Sequence, residues 1–376
     1  MPLKVLLLFG TRPEVIKLAP VIRILRANPD KFECRVCTTG QHRQMADQAM
    51  REFSLSPDVR LDAMADGRSL AQLTGRLFAD IDQLLGQESP DWLLVQGDTT
   101  SAMVAAMCAF YRQIKVGHVE AGLRTGDRWA PFPEEINRTI IGDVADLHFA
   151  PTSRAADNLR AAGAAESSIH VTGNTVVDAL LWTTENMGDA IPASLDQVLV
   201  DSIRARRLIL VTSHRRESFG QGLENICRAL KEIVCGHPDV AIVYPVHLNP
   251  NVRGPVLKLL GGESRIHLIE PVGYGAFVYL MKKSYFILTD SGGIQEEAPA
   301  LGKPILIMRD VTERPEVIES GCGRLVGTDV NNIADAASEL LENRSAYEKM
   351  ANRKDPFGDG RAAERIVNLL TTELHR

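Results

Sequence analysis

Short apolar, β-branched runs alternate with amphipathic stretches of helical period along the whole chain. The run Leu3–Phe9 has the length of a buried strand, and the segment 14–27 behind it carries its apolar residues at helical spacing. The same reading predicts strands at 32–38, 92–96, 115–119 and 147–150, with helices at 100–111 and 134–144. The series then starts again. Strands are expected at 208–212, 241–246, 266–269, 286–289 and 304–308, with a helix at 223–234. Alternation at this spacing specifies parallel βαβ units, so the pattern predicts an α/β chain of two doubly wound halves. The stretch 186–201 is weakly periodic and contains Pro192, which puts the join just before it, near 172–174. A last helix follows the Pro-Phe-Gly-Asp-Gly turn at 356–360 and is expected to cross back to the first half. The predicted domains are 1–172 with 361–376, and 173–360.

Length supports that division, since 376 residues suit two domains of about 190 residues. Gly (29) and Pro (19) are scattered as punctuation, which excludes collagen and low-complexity classes. A net charge of −6 leaves no basic surplus to release counterions, so no nucleic-acid partner is expected. No apolar run approaches the roughly 18 residues of a membrane helix. The six cysteines (34, 37, 108, 227, 235 and 322) show no disulfide spacing, and no signal-peptide pattern precedes the first strand. A cytoplasmic, membrane-free protein is the expectation.

Ligands of doubly wound sheets sit beyond the carboxyl ends of the strands, which directs attention to the residues there. Gly10-Thr11-Arg12-Pro13-Glu14 follows the first strand: a tight turn, a helix start and a guanidinium suited to phosphate. The plainer alternative is a capped helix with a surface arginine. Asp98 follows the strand at 92–96 and also reads as an N-cap. Glu120 and Glu134 bring two more carboxylates to the same rim; crowded carboxylates raise one another's pKa, as acid–base chemistry near neutrality requires. Solvated helix starts are their alternative. In the second half, His214 and His247 end successive strands. The segment 289–298 reads strand, hydroxyl, paired glycines, helix: Ser291, Gly292 and Gly293 let a diphosphate approach the backbone, and Glu297, about one turn on, suits a ribose diol. Three features carry less. Cys34 and Cys37 lie along a strand, where i and i+3 face opposite ways. Asp80 and Asp82 belong to a solvated helix face, and the glycines at 358 and 360 follow no strand.

Together these segments resemble the non-hydrolysing UDP-N-acetylglucosamine 2-epimerases of bacterial type. The matching motifs are GTRPEVIKLAP (10–20), QGDTTSAM (96–103), HVEAGLRTGD (118–127), PFPEEINR (131–138), VTGNTVVDAL (171–180), HRRESFG (214–220), TDSGGIQEEAPALGKP (289–304) and RDVTERPE (309–316). The resemblance implies a GT-B-like architecture, two facing Rossmann-like domains with the active site in the cleft between them. It implies reversible epimerisation at C2 of UDP-GlcNAc to UDP-ManNAc, by elimination of UDP to 2-acetamidoglucal and re-addition. By match to the motifs, Asp98, Glu120, Glu134 and His214 are the catalytic candidates. Arg12, Lys17, Phe277, Ser291, Gly292, Gly293, Glu297 and Arg314 match UDP-contacting positions. Gln41, Gln44, His247 and again Glu134 fall where bacterial members bind a second UDP-GlcNAc as activator. The resemblance also implies a homodimer, a role in polysaccharide biosynthesis, and neither a metal nor a nicotinamide cofactor. Ser213 replaces a usual Gly and is expected to narrow the space beside His214. Asp355 stands for a usual Asn, and Val272 where some relatives carry Gln. The alternatives are a hydrolysing epimerase that releases ManNAc and UDP, an epimerase of a modified uronic or diacetamido UDP-sugar, a GT-B glycosyltransferase, and an inactive UDP-sugar sensor. The three-carboxylate rim argues against the transferase. Retention of all four catalytic candidates argues against the sensor.

Overall fold

A computed structural model describes residues 1–41, 43–62 and 69–373. The chain divides into two compact units, Met1–Ala179 with Phe357–Arg376, and Leu180–Pro356. The expected final helix spans Ala362–Glu373, and 374–376 lie outside the described residues.

In the first unit the strands are β1 (Leu3–Phe9), β2 (Phe32–Thr38), β3 (Val59–Arg60), β4 (Trp92–Gln96), β5 (Lys115–Val119), β6 (Leu147–Ala150) and β7 (Ile169–Val171). They form one parallel sheet in the order β3-β2-β1-β4-β5-β6-β7. Val5–Phe9 and Leu93–Val95 have no exposed surface, because helices cover both faces of a parallel sheet. That double burial is why these strands read as unbroken apolar runs. The strand order reverses direction between β1 and β4, the position where doubly wound sheets open a crevice.

The second unit repeats the plan with β8 (Arg207–Thr212), β9 (Val240–Pro245), β10 (Ile266–Ile269), β11 (Ser284–Thr289), β12 (Ile305–Ile307) and β13 (Gly323–Leu325), ordered β10-β9-β8-β11-β12-β13 and all parallel. Its reversal lies between β8 and β11. The helix Gln221–Gly236 buries Leu223, Ile226, Leu230 and Ile233 against this sheet's core, a stripe at helical spacing.

Three strands were not expected: β3, β7 and β13, each only two or three residues long at or near a sheet edge. The first helix also begins at Arg12 rather than Glu14. The Glu14 carboxylate reaches back to the N–H groups of Gly10 and Thr11, which extends the helix start toward the strand.

The helix Ala362–Glu373 packs against the helix Arg12–Arg26 and buries Ala362, Ala363, Ile366, Val367 and Leu370. Asp178 accepts from the N–H groups of Ala362 (3.2 Å) and Ala363 (2.8 Å) and so anchors its first turn. Cys34 and Cys37 are free thiols on β2, pushed by burial to about 11 and about 12, unsuited to thiolate chemistry.

Candidate active site

The candidate residues fall into two groups, one per unit, on the turns and helices that follow the strands of each sheet. In the first unit the turns after β1 and β4 are joined through Glu14. Its carboxylate accepts from Gly10 N–H (3.0 Å), from the Thr11 N–H (2.7 Å) and hydroxyl (2.8 Å), and from the Thr99 hydroxyl (2.8 Å). Burial pushes its pKa up, and these donors oppose the shift. Gly10 is required here, because a Cβ would stand 2.5 Å from Thr39 Oγ1. Arg12 is half-buried beside this turn.

Asp98 is not the N-cap that its position suggested. Thr99 caps the helix Thr100–Tyr111, accepting from Ala102 N–H at 3.0 Å. The Asp98 carboxylate instead takes two hydrogen bonds on Oδ2 from Arg138, Nε at 2.9 Å and Nη2 at 2.7 Å. Its backbone carbonyl accepts from Asn137 Nδ2 at 2.9 Å. The preceding Gly97 carbonyl lies 2.7 Å from His118 Nε2. Burial pushes His118 down to about 3, so its ring is neutral at pH 7 and donates from Nε2.

Glu120 is buried, with φ at +64°, in the left-handed region that side chains other than glycine seldom occupy. Lys17 pairs with its Oε1, Asn174 donates to the same oxygen at 3.1 Å, and Gln96 donates to Oε2. Three donors from distant parts of the sequence thus hold one carboxylate in a strained backbone position.

Glu134 opens the helix Glu134–Val144 and is half-buried. Its neighbour Glu135 has a different task. Glu135 is buried, accepts from the N–H groups of Thr125 (3.1 Å) and Gly126 (3.1 Å), and pairs with Arg138 at 2.9 Å. Burial pushes Glu135 up, but those N–H groups and the Arg138 charge outweigh it and hold the carboxyl below its usual range. Gln41 accepts from the Ser101 hydroxyl at 2.9 Å, and Gln44 is exposed on the helix Arg43–Glu52.

In the second unit the turns after β8 and β11 meet at Asp290, which is fully buried. Its Oδ2 accepts from the Ser213 hydroxyl (3.1 Å) and from the N–H groups of His214 (2.7 Å) and Arg215 (2.9 Å). Ser213 therefore turns inward, and its hydroxyl does not occupy the space beside the His214 ring. That ring stacks on His247 with centroids 5.6 Å apart. Burial pushes His214 down, Asp290 opposes the shift, and His247 and Arg215 add to it.

Ser291, Gly292 and Gly293 follow at the next turn. A Cβ on Gly293 would find only Ser291 Oγ at 4.0 Å, and one on Gly292 only Arg215 Nη2 at 3.6 Å and Arg314 Nη2 at 4.0 Å. Two guanidinium groups thus flank a side-chain-free backbone, the arrangement an oxyanion needs. Arg314 is held by Glu296 at 2.5 Å. Glu297 is buried and accepts from the Tyr274 hydroxyl at 2.8 Å, and Phe277 lies one turn beyond Tyr274 on the helix Tyr274–Lys283. Among the described residues, no three His, Cys, Asp or Glu side chains are grouped to hold a metal ion.

The family model described as UDP-N-acetylglucosamine 2-epimerase matches residues 23–371 of this chain. A protein of that name from Yersinia pestis is 51% identical over 370 residues, 98% of each chain. The chain belongs to the UDP-N-acetylglucosamine 2-epimerase family. Solved structures of the family agree. The enzyme of Neisseria meningitidis bound to UDP-GlcNAc is 43% identical, with a TM-score of 0.89 over 98% of this chain and 100% of that one. S. aureus MnaA in complex with UDP is also 43% identical, with a TM-score of 0.88 over 99% of this chain and 97% of the other. The protein is thus an enzyme of the UDP-N-acetylglucosamine 2-epimerase family, with the α/β, two-domain fold of the GT-B type. No described helix is long and apolar enough to cross a membrane.

The structure adds residues that the sequence reading passed over: Glu14, Gln96, Asn137, Arg138, Asn174, Arg215 and Asp290. All seven lie inside the motifs that carry the epimerase resemblance. A motif does not say which of its polar residues face inward, and the partners of Asp98 and Glu120 come from segments tens of residues away.

Proposed function

We propose that the protein interconverts UDP-GlcNAc and UDP-ManNAc by elimination and re-addition of UDP. The C2 proton of the sugar has no adjacent carbonyl and is not acidic in the ground state. Departure of UDP from C1 solves this. The C1–O bond breaks, its electron pair leaves with the diphosphate, a base takes the C2 proton, and a C1–C2 double bond forms. Re-addition runs the sequence backward with the proton delivered to the other face of C2.

The observation that carries this reading is the chemistry beyond the strand ends of the two units: carboxylates in one, and in the other a glycine-lined backbone flanked by arginines with an adjacent imidazole. Asp98, Glu120 and Glu134 are the groups for proton transfer at C2. Arg12 and His214 stabilise the departing diphosphate. Arg215 and Arg314 flank the diphosphate at Ser291, Gly292 and Gly293, Glu297 accepts from the ribose, and Phe277 lies against the uracil. Lys17 holds the Glu120 carboxylate in place. Gln41, Gln44 and His247 hold a second UDP-GlcNAc that activates the enzyme, and the enzyme works as a cytoplasmic homodimer that supplies ManNAc for polysaccharide. The family membership and the solved complexes with UDP-GlcNAc and UDP support this assignment.

Proton NMR of the purified protein with UDP-GlcNAc tests it. UDP-ManNAc is the expected product. Free ManNAc with UDP would instead assign the hydrolysing reaction, and an unchanged spectrum would move the search to a modified UDP-sugar.

A further inference from the structure

Asp290 has an unfinished hydrogen-bonding pattern. Its Oδ2 takes three donors, from Ser213, His214 and Arg215. Its Oδ1 is buried and completes no hydrogen bond among the described residues. A buried carboxylate oxygen without a donor is costly. The atom facing it is His214 Nδ1, 3.3 Å away. Rotation of the ring about its Cβ–Cγ bond would align the pair, provided the proton sits on Nδ1.

We propose that Asp290 is a positioning residue that keeps the His214 proton on Nδ1 and so leaves Nε2 as the working nitrogen. The proposal rests on the reading of His214 as the group that meets the departing diphosphate. Two more features support it. The same carboxylate holds the N–H groups of residues 214 and 215, so it fixes the backbone that carries the ring. The His247 ring stacks on His214 with an interplanar angle of 17° and restricts its rotation. With Nδ1 committed to Asp290, protonation takes place at Nε2, and the imidazolium donates from there to a phosphate oxygen. The groups facing the imidazole are Asp290, which favours that protonation, and His247 and Arg215, which oppose it together with burial.

The test is Asp290→Asn. The amide oxygen still accepts from the donors on the Oδ2 side, so the turn survives. The amide N–H groups now face Nδ1, which must accept, and the proton moves to Nε2. In protein labelled with 15N-histidine, the His214 Nδ1 signal is expected to change from the protonated to the unprotonated type. The kcat should fall about 10²–10⁴-fold while the dissociation constant of UDP changes little. The pH limb that reports His214 should move to lower pH, because the charge that favours the imidazolium is gone. An unchanged proton position in the variant overturns the proposal, whatever happens to kcat. So does a neutral wild-type His214 with its proton on Nε2, a measurement that needs no variant. A relocated proton with unchanged kcat supports the role of Asp290 in placing the proton and removes His214 from the reaction, so the two failures are distinguishable.

Discussion

Of two adjacent glutamates at one helix start, Glu134 is half-buried and Glu135 is buried among donors. Glu135 is committed to backbone N–H groups and to Arg138. Glu135→Gln should therefore act on stability. Because the folded pKa of Glu135 lies below its unfolded value, its contribution is present above about pH 4.5 and is lost as pH falls through the folded value. The difference in thermal midpoint between wild type and Glu135→Gln should accordingly be largest above pH 5 and shrink on acidification. Glu120 is the opposite case. Its carboxylate is held by Lys17, Gln96 and Asn174 on a backbone at φ +64°, a costly arrangement with no evident structural return. Glu120→Gln should lower kcat about 10²–10⁴-fold and leave UDP affinity, measured by calorimetry, nearly unchanged. Full activity in that variant would remove Glu120 from the proton-transfer role.

Turns, more than strands or helices, carry the site. Thr99 shows this: its hydroxyl caps the helix Thr100–Tyr111 and also donates to the buried Glu14, tying the turn after β4 to the turn after β1. Thr99→Val loses the cap and leaves a buried carboxylate oxygen short of a donor. Thermal unfolding should show a loss of about 1–3 kcal/mol, recovered by Thr99→Ser. The long central strands were legible in the sequence because double burial writes them as apolar runs, as in β1 and β4. The edge strands β3, β7 and β13 were not, since two or three residues hold no period. Within the candidate site, the motifs mark residues such as Asp98 and Glu120, but they do not say which side chains bond to them. The bond from Arg138 to Asp98 spans 40 positions and that from Asn174 to Glu120 spans 54, separations that local pattern does not encode. The distinction between Asp98 as cap and Thr99 as cap likewise appears only in three dimensions.

The chain closes on itself, with its last helix belonging to the unit that its first strand begins. Asp178 makes that closure pH-dependent. Burial raises its pKa to about 6, against the two N–H groups that favour the charged form. A raised carboxyl pKa means that the folded state binds the proton more tightly, so stability falls as pH rises from the unfolded value toward about 6. Asp178→Asn retains an acceptor without the charge. Its thermal midpoint should gain on that of the wild type between about pH 4 and pH 6, then keep a constant lead. This slope is opposite in sign to that of Glu135, which makes the pair a control for each other.

Breakage of the C1–O bond on the way to the epimer is open to positional isotope exchange. UDP-GlcNAc carrying 18O in the sugar–phosphate bridge is incubated with the enzyme in D2O. Elimination and re-addition should scramble 18O into the non-bridging positions of the β-phosphate while deuterium enters C2 of both epimers. Epimerisation with deuterium uptake but with 18O retained in the bridge would contradict it, because the proton would then have been exchanged without UDP ever leaving.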